Sequence, residues 1–150
     1  MGNFDTERVS QVWQRVRGEE PREPVPQESL QSLIMEEMSA AAAYLVLSRQ
    51  AAGKDSMLLR RLFQESHSHG VCLKGICALM EGKRPQVRGT VPDRESMEAT
   101  LRKCYGREMR CLAAYEKRSG DREYGPVFAR LAEQKREHCR LVLELIGRLK

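Results

Sequence analysis

The chain has 150 residues, of which 41% are hydrophobic, 31% charged and 5% aromatic, enough for one domain with a substantial core. Its net charge of +5 comes from Lys and Arg dispersed among Glu, which describes a solvated helical surface; a basic stripe with aromatic partners is lacking, so no nucleic-acid partner is expected. No apolar run approaches the ~20 residues of a membrane span and the N-terminus lacks a signal-peptide pattern, so a cytoplasmic protein without a membrane partner is expected.

Residues 5–17 carry Val9, Val12, Trp13 and Val16 at helical spacing, which predicts a short amphipathic helix with Trp13 docking it onto the main body. Pro21, Pro24 and Pro26 then force an extended linker, so residues 1–26 form an appendage and 27–150 the main domain. Met1 to Thr6 formally fits an N-myristoylation pattern, but nothing polybasic follows to supply a second anchor.

Four longer helices follow. The first is expected from Gln27 to Ala52, stopping at Gly53. The second starts at the capping residues Asp55 or Ser56 and ends at Gly82. A longer connection containing Pro85, Gly89 and Pro92 leads to Asp93 as the N-cap of the third, which ends near Ser119 and Gly120. The fourth starts around Pro126 and runs to the C-terminus. Short turns make each pair an antiparallel hairpin, and the longer middle connection can cross the bundle. The fold class is therefore all-α, a four-helix bundle.

Each helix has an apolar stripe when turned by about 100° per residue. The stripes are Leu30, Leu33, Ile34, Ala41 and Tyr44; Leu59, Leu62, Leu73, Ile76 and Met80; Met97, Leu101, Cys104, Leu112 and Tyr115; and Phe128, Leu131, Val142 and Leu145. Near mid-length each is interrupted by polar residues: Glu37, then Ser66 and His69, then Glu108, then Lys135 and His138. A buried charge without a partner is very costly, so these groups must meet one another or a cation.

The chain also repeats itself. Glu-Met-Ser-Ala-Ala-Ala-Ala-Tyr at 37–44 matches Glu-Met-Arg-Cys-Leu-Ala-Ala-Tyr at 108–115, and Leu62, Ser66 and His69 align with Leu131, Lys135 and His138. The chain thus reads as a duplicated hairpin with a pseudo-twofold axis through the bundle. Cys72, Cys77, Cys104, Cys111 and Cys139 are odd in number, contain no C-x-x-C pair and read as reduced, mostly buried thiols. Cys72 and Cys111 fall one turn from the polar positions, His67 faces away from the stripe, and the Met residues read as packing.

On the Glu-x6-Tyr pattern and the paired histidines, residues 27–150 resemble the ferritin-like superfamily, and within it the rubrerythrin-like di-iron carboxylate proteins. In that family helices one and three each give a terminal Glu ligand, and helices two and four each give a Glu-x-x-His pair whose Glu bridges the metals. The resemblance implies that Glu37 and Glu108 match the terminal carboxylates and His69 and His138 the imidazoles. Tyr44 and Tyr115 match tyrosines that hydrogen-bond across the bundle. The bridging positions, however, hold Ser66 and Lys135. Two nearby divalent ions repel and need anions between them; serine supplies no charge and lysine brings a cation.

The expectation is a degenerate site without a di-iron cofactor and without catalytic residues, Lys135 projecting between Glu37 and Glu108. One Fe(II), Mn(II) or Zn(II) ion on Glu37, His69, Glu108 and His138 is the alternative, requiring Lys135 to swing away. Glu65 and Gln134 sit at equivalent stripe edges, Glu65 reaching inward only through a local bulge, and Glu133 points outward. With no C-x-x-C pair there is no rubredoxin-type relay module. The functional expectation is a non-catalytic binding or interaction module working as a homodimer. The second reading is a metal-dependent oxidoreductase of peroxide or dioxygen, and iron storage is a third, weakened by the same lost ligands.

Overall fold

A computed structural model of the chain describes residues 29–149. The expected helix over 5–17, its linker and the docking of Trp13 lie outside the described residues. Four helices are present: α1 (Leu30–Gln50), α2 (Gly53–Glu81), α3 (Met97–Arg118) and α4 (Gly125–Gly147). Among the described residues no helix is long and apolar enough to cross a membrane.

Local chemistry sets the helix ends. Ser29 caps α1, its hydroxyl accepting from the Ser32 amide at 3.0 Å. α1 ends at Gln50, and Gly53 opens α2 with a left-handed φ of 59° instead of merely terminating α1. The expected caps of α2 are therefore corrected: Asp55 lies in its first turn, where it accepts from Arg148 at 2.9 Å, and Ser56 donates to the Ser48 carbonyl at 2.7 Å. α2 ends on Gly82 (φ 79°), as its sequence dictates. The cap of α3 is Ser96, accepting from the Ala99 amide at 3.1 Å, and not Asp93. The apolar stripe of α3 begins only at Met97, so a helix starting at Asp93 would expose an extra turn with nothing to bury. Pro126 sits in the first turn of α4, where its missing N–H costs nothing.

α1 packs along α2 and α3 along α4, giving two hairpins; α1 also lies against α3, while α2 and α4 touch least. All four neighbouring pairs run antiparallel, because residues 82–96 carry the chain from one end of the bundle to the other. That crossover is held to α1 midway. The amide and hydroxyl of Thr90 donate to the Ser39 hydroxyl at 2.9 and 3.2 Å, and a Cβ on Gly89 would lie 2.4 Å from the Met38 carbonyl carbon. Backbone cannot yield as a side-chain tip can, so only glycine permits this approach. Gly89→Ala should cost about 1–3 kcal/mol as the crossover lifts from α1, measured as a lowered midpoint in urea denaturation; an unchanged midpoint would show that the crossover is not held there.

The core falls into two apolar halves. One gathers Leu30, Leu33, Ile34, Leu73, Ile76, Tyr115 and Phe128; the other gathers Tyr44, Leu47, Leu59, Leu62, Leu101, Val142 and Leu145. Met80, expected inside, is 54% exposed, because the first half ends level with Leu30 and Ile76 and the last turn of α2 runs past it. Leu112 and Met97 are only partly buried, and Cys111 and Ala114 take up core positions of α3. Between the two halves lies a layer of polar side chains.

Candidate functional site

Every helix contributes to this layer, and each contributing side chain is held by a continuous helical turn. Glu37 on α1, Ser66 and His69 on α2, Glu108 on α3, and Lys135 and His138 on α4 are all no more than 4% exposed. All six positions expected from the sequence are thus brought to one level. Tyr44 and Tyr115 are buried with them.

The contacts obey the pseudo-twofold axis. Tyr44 donates to Glu108 Oε1 at 2.8 Å, and Tyr115 donates to Glu37 Oε2 at 2.7 Å. The same reciprocity joins α2 to α4: His69 Nε2 meets Gln134 Oε1 at 2.6 Å, and His138 Nε2 meets Glu65 Oε1 at 2.9 Å. The Glu65 oxygen belongs to a carboxylate and can only accept, so His138 Nε2 donates to it. The inward Nδ1 atoms face the carboxylates, 3.3 Å from Glu37 Oε2 and 3.4 Å from Glu108 Oε2, and the two rings stack with centroids 5.4 Å apart. All four hydrogen bonds run between the hairpins, and those of the histidines bridge the helix pair with the sparsest backbone packing.

The axis is broken at one place. Lys135 Nζ lies 2.5 Å from Glu37 Oε1 and 3.0 Å from Glu108 Oε2. Its pseudo-equivalent, Ser66, buries a hydroxyl that has no hydrogen-bond partner among the described residues.

The electrostatics follow from this arrangement. Burial works to raise the Glu108 carboxyl, but the Lys135 ammonium, with His138 and the Tyr44 hydroxyl, overcomes it and holds the pKa down to about 2. Glu37 is lowered in the same way: burial is outweighed by Lys135 and His69. Desolvation opposes the charge on Lys135, yet the two carboxylates raise its pKa above the usual lysine value. Lys135 therefore stays protonated and is no base or nucleophile. Burial, then the neighbouring carboxylate, pushes Tyr44 and Tyr115 up, so both remain neutral donors. Burial and the charge of Glu108 push the Cys104 thiol up to about 12, and burial raises Cys72 and Cys111 too. None is an activated thiolate.

Sequence reasoning missed one feature. Glu65 and Gln134 do not enter through a bulge; α2 and α4 stay helical, and both side chains reach round to the outer nitrogen of a histidine. Their shared place, four residues before each histidine, was the available signal. His67 is exposed beside Phe63, and Glu133 points outward, as expected. Cys111 is buried one turn from Glu108, and Cys72 is half-buried beside a cleft of about 440 Å³ between α2 and α4, to which His69 and Gln134 also contribute. Among the described residues no group of three or more His, Cys, Asp or Glu side chains is disposed to hold a metal ion.

No family model matches the chain, and no curated protein sequence matches it. Among solved structures, a crystal structure of a protein described as ferritin like, diiron-carboxylate, from Bacillus anthracis str. Ames, superposes with a TM-score of 0.63. The match covers 78% of this chain and 91% of that one, at 18% identity. The fold is ferritin-like. The ferritin-like bundle accounts for the two hairpins, the long crossover and the four-helix meeting point at mid-length.

Proposed function

We propose that this protein is a rubrerythrin-like variant of the ferritin-like bundle in which one ammonium group has taken the place of the metal pair, and that it serves as a binding or interaction module, working as a homodimer. The observation that carries this reading is the position of Lys135 Nζ, within 3.0 Å of both Glu37 and Glu108. The structural neighbour is a diiron-carboxylate protein by description. Here the bridging positions carry Ser66 and Lys135, so the anions that would screen two metal ions from each other are missing and a cation stands in their space. These residues do not fit a metal pair. The protonated Lys135, the neutral tyrosines and the raised thiols supply no activated nucleophile at the centre.

Metal analysis of full-length protein from iron-supplemented cells tests the proposal. The wild type should hold less than one metal per chain and keep its melting temperature in chelator. The double variant Ser66→Glu, Lys135→Glu, which restores both Glu-x-x-His pairs, should acquire metal. Two irons per wild-type chain with an oxo-bridge absorption band would overturn the proposal. One tightly held ion on Glu37, His69, Glu108 and His138 would return the metal-dependent oxidoreductase reading to first place.

A further inference from the structure

The pseudo-twofold axis that relates His138 to His69 also relates Arg130 on α4 to Arg61 on α2, but the two arginines have different surroundings. Arg61 lies 2.7 Å from Glu65 Oε2 and 4.0 Å from Glu137 Oε1. The positions equivalent to those two acids hold Gln134 and Ser68, both neutral. Arg130 is exposed and has no ion pair among the described residues, whereas Arg136, Arg140 and Arg148 along the same helix each hold a carboxylate. The apolar neighbours differ in the same sense. Leu58 and Leu141 on the Arg61 side correspond to the smaller Val127 and Cys72 on the Arg130 side. On that side Arg130, Gln134, Ser68, Val127 and Cys72 all line the cleft between α2 and α4, whose volume of about 440 Å³ falls within the ~300–1,000 Å³ range of well-formed pockets.

Among the described residues no acidic side chain lines this cleft. Its α4 wall begins in the first turn of a helix that has neither an acidic residue there nor a side-chain cap. An unpaired guanidinium and a helix N-terminus both favour an anion, and Val127, Leu131 and Cys72 offer that anion an apolar wall. We infer that the cleft binds a small carboxylic acid with an aliphatic body. Its carboxylate sits on Arg130 in the role that Glu65 and Glu137 play beside Arg61, and its aliphatic part lies against Val127, Leu131 and Cys72. The planar guanidinium takes a carboxylate through two parallel hydrogen bonds, and the neutral Gln134 and Ser68 leave its charge unopposed. The inference rests on the binding-module reading, to which it adds a ligand class, and the two fail separately: metal analysis of the centre tests one and ligand titration of the cleft tests the other.

Calorimetric titration of the full chain with hexanoate, hexanol and hexylamine at neutral pH tests the inference. These probes share one aliphatic body and differ in the charge of the head. Hexanoate should bind about fivefold more tightly than hexanol, the ratio set by one ion pair at a partly exposed site, and hexylamine should bind weakest. Arg130→Gln, at an exposed position, should bring hexanoate and hexanol level. The double variant Ser68→Glu, Gln134→Glu gives Arg130 the two acids that Arg61 has and should abolish hexanoate binding. Saturating hexanoate should also slow alkylation of the half-buried Cys72 by iodoacetamide, followed by peptide mass spectrometry. No saturable binding of hexanoate to the wild type would overturn the inference. Equal binding of hexanoate and hexanol would overturn it in favour of an apolar groove indifferent to charge, and hexanoate binding that leaves Cys72 unprotected or survives the double variant would place the anion elsewhere.

Discussion

Lys135→Ala should lower the free energy of unfolding by about 3–5 kcal/mol in the presence of chelator, the cost of leaving buried carboxylates without their counter-ion. For a chain of this size that is a fall in melting temperature of about 10–20 °C. The loss arises from the two carboxylates left behind, because an ion pair taken out of water is itself worth little against apolar packing of the same volume. Glu37 and Glu108 are no more than 1% exposed, and each is bound to a neutral tyrosine that cannot supply charge. The triple variant Lys135→Met, Glu37→Gln, Glu108→Gln removes all three charges and keeps an acceptor for each tyrosine. It should recover most of the stability lost in Lys135→Ala. Thermal and urea denaturation of the three proteins decide the matter: a single variant that melts with the wild type would show that the ammonium group is not what holds the carboxylates in place.

Acid should unfold the wild type through the same cluster. The Glu108 carboxyl is held at about 2, against a usual value of 4.5. A depressed carboxyl contributes stability that is present above its unfolded value and is lost as the pH falls through its folded value. The expected window therefore opens near pH 4.5 and closes near pH 2, with a contribution on the order of 3 kcal/mol from this residue. Lys135 acts at the other extreme: its raised pKa gives stability that is complete below the usual lysine value of 10.5 and fades as the pH climbs through the higher folded value. Lys135→Ala should invert the acid limb. With burial no longer opposed by the ammonium, protonating a carboxyl relieves the protein, so the variant should become more stable on moving from pH 7 towards pH 5. Urea midpoints across pH 3–9 for both proteins test this, and parallel curves would refute it.

The bundle was legible because the apolar period and the polar interruptions agree. Leu30, Leu33 and Ile34 mark a buried face, and Glu37 on that face has no reason to be there except to meet a partner. The central six residues were legible for the same reason, since a charge in an apolar stripe is informative whichever protein carries it. Less legible were positions where two outcomes differ by little free energy. Asp93 and Ser96 are both sound caps, and only the apolar residues following Ser96 decide between them. Glu65 and Gln134 sit at the border of the buried face, where a rotation of one helix by a few tens of degrees sends a side chain to water or to a histidine. Met80 lay correctly on the stripe but beyond the last layer of neighbours, a length effect that periodicity does not register. The reciprocal tyrosine bonds needed three dimensions, since each joins residues more than 60 positions apart.

The broken symmetry at Ser66 and Lys135 has a consequence for the two hairpins as building blocks. A bundle assembled from two copies of the α1–α2 hairpin would set a pair of carboxylates face to face with serine hydroxyls where the ammonium group now stands. One assembled from two copies of α3–α4 would crowd two lysine chains into space that holds one. Neither half can substitute for the other, so the two hairpins permit only the mixed pairing, and the covalent crossover keeps the unlike partners in fixed one-to-one supply.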